Sequence, residues 1–433
     1  MIPAKMLRSQ DVADFRCIGP ECDDICCQGW DVAIDKTTYE TYQAMPDEPL
    51  KTLLSESIVL NALTNGDADY ALIPLTESRS CPLLTTKRLC RIQQAKGAAY
   101  LSTTCAVYPR SRNIVDGVLE SSLFLSCPEA ARLVLLNPDP IRFELVDAPA
   151  LRQAEQIPSL DSHGSASNAS NVNGSDNAQI ARKPYRHSER IRLFILALLQ
   201  NRAFSLSQRL IFLGDFCNQL GSVVSEEYDQ AIPVLLTAFE TRILTGNMGI
   251  ERAELDSDTD AQFQVLMLLI EHLVKTGPHN KRFLECFSAF RQGLQHTGTS
   301  AAEESVQTYD AAEANYYTPF MTSHAYILEN YLVNYAFRTL FPFGPQKSAN
   351  YDQKPIFTEY ICMILQYALI KGLLIGMSGH FQDSFSPDHC VTLIQSYTKV
   401  AGHSLPFLKQ SLQFIAACSM NTIEGTAILI RNP

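Results

Sequence analysis

No histidine precedes His163 in this 433-residue chain, and that absence limits what the front end can bind. Mixed cysteine–histidine zinc sites need imidazole as well as thiolate, so they are excluded there. Nucleotide signatures are missing too: no G-x-G-x-x-G follows a strand, and no G-x-x-x-x-G-K runs into Ser or Thr. Basic charge is scarce. With 35 Lys and Arg against 46 Asp and Glu, the net charge is −11, which excludes a non-specific grip on nucleic acid. The basic stretch from Lys183 to Arg192 stands alone and reads as the charged opening of a helix. The longest apolar stretch, Cys362 to Gly376, is interrupted by Gln366 and Lys371, so no membrane span is expected. The opening MIPAKMLRSQDV has no apolar h-region, and the expected compartment is the cytoplasm.

What is present is cysteine, unevenly spread: eight of the 13 lie in the first 127 residues and five in the other 306. Cys17, Cys22, Cys26 and Cys27 follow the spacing C-x4-C-x3-C-C; Cys81, Cys90, Cys105 and Cys127 arrive singly. In a reducing compartment such clustering points to metal ligands or catalytic thiols rather than disulfides. Thiolates alone select soft metals, so zinc held by four cysteines and an iron–sulfur cluster both stay open. Adjacent Cys26 and Cys27 are expected to point apart and not to share one metal atom. The radical S-adenosylmethionine spacing C-x3-C-x2-C starts with Cys22 and Cys26 but meets Gly29 in third place, so it is broken. Cys217, Cys286, Cys362, Cys390 and Cys418 fall singly in helical or inter-helical sequence and suit ordinary buried or surface thiols.

From Asp161 to Asn177, 11 of 17 residues are Ser, Gly or Asn, which reads as a flexible linker. The expected organisation is a Cys-rich module over 1–150, a linker over 151–183 and a helical domain over 184–433. Turns at Gly19-Pro20, Asn65-Gly66 and Asn137-Pro138 punctuate the module, with a strand or strand pair between Val115 and Leu125. Downstream, apolar residues recur at helical spacing in Glu189–Gln200, Ser205–Leu220, Ala261–Lys275, Lys281–Gln295, His324–Leu340 and Thr358–Ile375. The fold class is therefore mainly α: a small Cys-rich α+β module for a metal or cluster, followed by a larger all-helical domain. In the His324–Leu340 segment, Ile327, Tyr331 and Tyr335 make an apolar stripe for the core. Asn330, Asn334 and Arg338 make a polar stripe that lines a pocket or faces solvent.

Several stretches resemble the flagellin lysine N-methylases and the wider class of zinc- or iron-chelating domains that share their front end. They are CIGPECDDICCQGW (Cys17–Trp30), CPLL (Cys81–Leu84), the single Cys90, CAVYPR (Cys105–Arg110) and SLFLSCPEAARLVL (Ser122–Leu135). HAYILENYLVNYAFRTLFPFG (His324–Gly344) carries the likeness into the helical half. The resemblance implies a cytoplasmic protein-lysine methylase that uses S-adenosylmethionine, takes flagellin as its protein substrate and carries an iron–sulfur centre of the 4Fe–4S type, with zinc as the alternative. It makes all eight cysteines from Cys17 to Cys127 candidate ligands. It also places Glu329, Asn330 and Tyr331 as candidate donor contacts, beside Tyr108 and Arg110, which stand close to Cys105. The rival readings are a non-enzymatic metal or cluster carrier, a redox sensor, and a zinc-structured partner-binding protein.

Methyl transfer to lysine requires a neutral amine attacking a sulfonium methyl, so a proton must leave a group of pKa about 10.4. Desolvation, a tyrosine or a carboxylate would serve that end. No metal is needed for the displacement, which makes an architectural centre the favoured reading. Replacing Cys26 or Cys27 by Ser is expected to lower metal content and soluble yield together, because metal binding at such sites is also folding energy; wild-type metal content in both variants would show that this pair is misassigned.

Overall fold

A computed structural model of the chain describes residues 3–29, 31–46, 49–63, 66–77, 79–151, 157–160, 187–223, 227–248, 258–277, 280–295, 302–344, 355–402 and 404–431. The linker sequence at 161–177 lies outside the described residues. Eight short strands are β1 (Lys5–Ser9), β2 (Val32–Ile34), β3 (Val59–Leu60), β4 (Ala71–Ile73), β5 (Arg110–Val115), β6 (Val118–Leu123), β7 (Phe143–Asp147) and β8 (Ser159–Leu160). They make a mixed sheet in the order β7-β1-β6-β5-β8 and an antiparallel sheet in the order β2-β4-β3. The pair expected near Val115–Leu125 begins earlier, at Arg110, and pairs Arg110 with Leu123 and Val115 with Val118. Its two-residue loop, Asp116-Gly117, takes positive φ at both positions (48° and 81°), the backbone that a tight hairpin demands and that Asp-Gly supplies.

Packing divides the first 150 residues in two. Val32, Ile34, Tyr42, Leu54, Ala71, Ile73, Cys81, Leu83 and Ile92 form a small core of their own, with Cys27, Cys90 and Cys105 packed against it. Val115, Leu123, Leu125, Val134 and Leu160 belong instead to the large core of the helical half. The five-stranded sheet is thus part of the helical body, and the thiol-rich lobe sits on it. β8, inside the stretch expected as linker, adds to this sheet by pairing with β5.

The helical segments appear where periodicity put them: Ser188–Leu199, Leu206–Ser222, Thr259–Thr276, Lys281–Gly293 and Ile356–Phe381. The expected helix over 324–340 is split into Thr318–His324 and Tyr326–Arg338. Helix Tyr228–Leu244, with Pro233 inside it, has no counterpart among the segments expected from the sequence. The central helix Ile356–Phe381 is buried over all but its ends. It is long and apolar enough to cross a membrane, yet its whole apolar window lies inside the protein. Its two interrupting residues are satisfied there, since Gln366 accepts from the Tyr397 hydroxyl (2.8 Å) and Lys371 donates to the carbonyls of Ile430 (3.0 Å) and Arg431. Burial pulls Lys371 down from the ordinary 10.5 to about 7. The helix Lys281–Gly293 crosses at Gly293, where a Cβ would collide with the Gly376 carbonyl.

A polar seam holds sheet to helices. Arg192 pairs both nitrogens with Glu120 of β6 at 2.9 and 2.6 Å. On the helix Tyr326–Arg338, Glu329 takes Arg202 (2.9 Å) and Arg209 (2.7 Å). Asn330 donates to the carbonyls of Val134 (3.0 Å) and Asn137 (2.7 Å), and Asn334 to that of Leu123 (3.2 Å). The polar stripe divides: Asn330 and Asn334 are buried against carbonyls of the N-terminal segment, while Arg338 at its end lines a cavity, as one of the two expectations had it. Glu329→Gln strips the charge partner from Arg209, whose side chain is 4% exposed, and breaking such a buried pair costs about 3–5 kcal/mol. The expected result in urea unfolding is a midpoint well below wild type; an unchanged midpoint contradicts the seam.

Candidate functional site

The lobe positions its thiols by short-range backbone bonds. Cys81 N–H donates to the Cys27 carbonyl (2.9 Å), and isolated bridges join Gln28 to Ser80 and Leu84 to Cys90. Asp35 caps the helix Lys36–Gln43 through Thr38 N–H (2.9 Å) and also accepts from Thr103 N–H (3.0 Å), which seats the turn carrying Cys105. Cys90 and Cys127 hold the N-cap positions of Arg91–Lys96 and Pro128–Leu135.

Folding brings the eight thiols into one electrostatic neighbourhood around Cys26. Cys22, Cys27, Cys81, Cys105 and Cys127 all interact with it; Cys17 reaches it through Cys22, and Cys90 through Cys81 and Cys105. Burial first, then mutual repulsion, pushes Cys105 and Cys127 up to about 12 and raises Cys22 and Cys81. Cys27 shares its proton with Cys26, which drops toward 7 while Cys27 rises. The two sulfurs lie 3.8 Å apart, so the expected divergence of this pair is not seen. Two thiolates on one tetrahedral zinc, with bonds of about 2.3 Å, stand about 3.8 Å apart. In kind and neighbourhood the donors fit a soft metal, whose charge would offset the cost of ionising buried thiols. Among the described residues, no group of three or more His, Cys, Asp or Glu stands at metal-holding spacing. The five later cysteines are as expected: Cys217, Cys286, Cys362 and Cys390 are buried and Cys418 is exposed.

Between lobe and body opens a cavity of about 1250 Å³. Cys26, Thr103 and Tyr108 line it from the lobe side, Arg110, Arg112 and Asn113 from β5, and Asn280, Arg282, Arg338 and Lys399 from the helices. Seven Lys or Arg and three Asp share its walls, a local surplus of positive charge in an acidic protein. The Asp24 carboxylate ties the cysteine loop across this cavity to the helix Pro387–Val400: it accepts from Lys399 Nζ (2.8 Å) and Gln395 Nε2 (3.0 Å). Lys399 also reaches the Ile25 carbonyl (2.9 Å), and Gln395 the Ser126 carbonyl (2.8 Å).

Of the residues singled out beside the thiols, Tyr108 and Arg110 meet Cys26 at this cavity. The Tyr108 hydroxyl lies 3.2 Å from Ser126 Oγ, and burial lifts it well above the ordinary tyrosine range. Glu329, Asn330 and Tyr331 are buried in the seam and do not line the cavity; the Glu329 carboxylate is engaged with arginines and the Asn330 amide nitrogen with backbone carbonyls there. Asp24, Gln395, Lys399, Arg112 and Arg282 were not legible as site residues. No local motif marks them, and Asp24 and Lys399 meet only because the chain folds back over 375 positions.

The C-terminal domain of FliB lysine N-methylases matches residues 192–429. The chain is 37% identical over 129 residues to the flagellar biosynthetic protein FliU of Salmonella muenchen, a stretch that covers 30% of this chain and 75% of that protein. The same identity over 129 residues holds against the lysine-N-methylases of Salmonella choleraesuis and Salmonella typhimurium, where the match spans 32% of each, about a third of their length. No solved structure matches.

The Asp24 contact yields a prediction independent of that kinship. Burial would raise its carboxyl, but the charge and hydrogen bond of Lys399, with Ile25 N–H and Gln395, hold it below the usual carboxylate range. A depressed carboxylate stabilises the fold above its unfolded value of about 3.9 and loses that effect as pH falls through the folded value. Asp24→Asn should therefore cost about 1–3 kcal/mol near neutral pH, with the gap to wild type closing in acid below about pH 4. Urea unfolding across that range checks it; a gap that stays constant with pH contradicts the ion pair.

Proposed function

This chain belongs to the FliB lysine N-methylase family, and we propose that it transfers the methyl group of S-adenosylmethionine to lysine side chains of flagellin in the cavity between lobe and body. The observation that carries the proposal is the cavity's composite wall: Arg338 and Lys399 come from the family-matched helical region, while Cys26, Tyr108 and Arg110 come from the front end. A site built from both halves gives both a reason to be in one chain. The flagellar and lysine-methylase names of the relatives support the choice of substrate.

The cavity's chemistry suits the reaction. Its cationic walls disfavour a further positive charge, so an entering lysine is pushed toward the neutral amine that can attack. Tyr108, held protonated by burial, and Ser126 offer hydroxyl oxygens that can accept from that amine and orient its lone pair. The donor, when bound, supplies an electrophilic methyl on sulfur, and the walls place it against the amine.

The thiols would hold a soft metal centre, iron–sulfur of the 4Fe–4S type by family likeness or zinc by donor chemistry. Cys26 would hold it with its direct neighbours Cys22, Cys27, Cys81, Cys105 and Cys127, and Cys17 and Cys90 stand one neighbour further out. Such a centre would contribute architecture: the cysteines it bound would be fastened together across separate chain segments of the lobe, with Cys26 held in one wall of the cavity. The working compartment in this reading is the cytoplasm.

Anaerobically purified protein, S-adenosylmethionine and flagellin should give methylated lysines by mass spectrometry. A metal-replete preparation that binds the donor yet leaves flagellin unmodified would sink the proposal. Metal passed to an acceptor protein without donor binding would favour the carrier reading instead.

A further inference from the structure

The cavity contains more cation than it pairs. Of its three carboxylates, Asp24 is taken by Lys399 (2.8 Å) and Asp23 faces Arg282 (3.8 Å). Arg110 and Arg338 have no carboxylate partner among the described residues. Both are only partly exposed, and a guanidinium withdrawn from water without a counter-charge is a cost that a bound anion removes.

Each of the two is backed by an aromatic face. The Arg110 guanidinium lies 5.3 Å from the Phe15 ring centre and that of Arg338 lies 5.1 Å from Phe124. Such stacking fixes the plane of the fork and directs its N–H edges, the arrangement that grips a planar carboxylate through two parallel bonds. The two arginines are also tied to one place. Asn113 of β5 donates to the Arg338 carbonyl (2.9 Å), so the end of the helix Tyr326–Arg338 is moored to the strand that carries Arg110 and Arg112. Burial, then the charges of Arg112 and Arg16, press on Arg110, so positive charge is concentrated at this corner.

We infer that Arg110 and Arg338 form a carboxylate subsite that takes the α-carboxylate of the methyl donor. The inference rests on the proposed methyl transfer for the identity of the donor, whose single carboxylate stands at the far end from its adenine. Anchoring that end would set the direction in which the sulfonium methyl faces. A side-chain carboxylate of the protein substrate has the same chemistry and is the other source to be separated. Because both arginines sit inside the cavity wall, a ligand that enters whole is the better match.

The test uses full-length protein with its metal, comparing S-adenosylmethionine with its decarboxylated analogue at saturating flagellin. Wild type should prefer the carboxylated donor by at least about 10-fold in kcat/KM. Arg110→Met and Arg338→Met should erase that preference and raise the donor KM by about 10- to 100-fold, a larger effect than either has on the KM for flagellin. Arg338→Lys, which keeps the charge, should restore part of the preference, and thermal melts confirm that the variants fold. Unchanged preference in both Met variants overturns the inference; so does a rise confined to the flagellin KM, which would give the pair to the protein substrate. Calorimetry with S-adenosylhomocysteine and its decarboxylated counterpart separates this idea from the function it builds on. Discrimination in binding without any methylation supports the subsite and overturns the function, whereas methylation without discrimination does the reverse.

Discussion

Asp24 and Lys399, 375 residues apart in the chain, meet at 2.8 Å with both side chains largely withdrawn from solvent. That contact decides how the thiol-rich lobe stands on the helical body. With the Gln395 bond to Asp24 and the Lys399 bond to the Ile25 carbonyl, it holds the loop carrying Cys22, Cys26 and Cys27 to the helix Pro387–Val400 across the cavity. The lobe's own core is small beside that of the body, with eleven buried hydrophobic residues among those described. A small core gives little stability by itself, so the lobe depends on being held from outside by the helical body.

The body beneath it is built the opposite way. Its central helix is buried over most of its length, and the two polar side chains that interrupt its apolar run are used: Gln366 by Tyr397, Lys371 by the last carbonyls of the described chain. The helix Tyr326–Arg338 then converts a buried polar face into a joint with the sheet. Glu329 is the clearest case, since a carboxylate 1% exposed is tolerable only because two arginines meet it. A rigid body with a polar joint carries Arg338 and Lys399 to the cavity on fixed backbone, the placement that orientation-dependent chemistry needs.

Much of this was legible in the sequence, for reasons that differ by element. The long helices announced themselves because burial of one face imposes a 3.6-residue period, and the thiol-rich lobe because its cysteines are so unevenly spread along the chain. Residue type, however, does not say where a side chain goes. Glu329 and Asn330, singled out by the family likeness, sit in the buried seam, while Lys399 looked like any basic residue near a helix end. Asp24, Arg282 and Lys399 acquire meaning only when distant segments come together. The adjacent pair Cys26 and Cys27 shows the same limit in miniature: a neighbour rule suggested divergence, and the turn that carries them keeps the sulfurs 3.8 Å apart. The thiol lobe was expected to include the whole of the first 150 residues, but apolar burial assigns the larger sheet to the helical body.

The central claim is that donor and lysine meet between lobe and body, in a cavity whose positive charge both favours a neutral amine and leaves arginines for an anion. A crystal structure of the metal-loaded protein soaked or grown with S-adenosylhomocysteine tests it most directly. The claim predicts the nucleoside product in the cavity lined by Cys26, Tyr108, Arg110 and Arg338, with its sulfur open toward solvent for an incoming lysine. Density for the same molecule at any other site, with this cavity left to solvent, contradicts it.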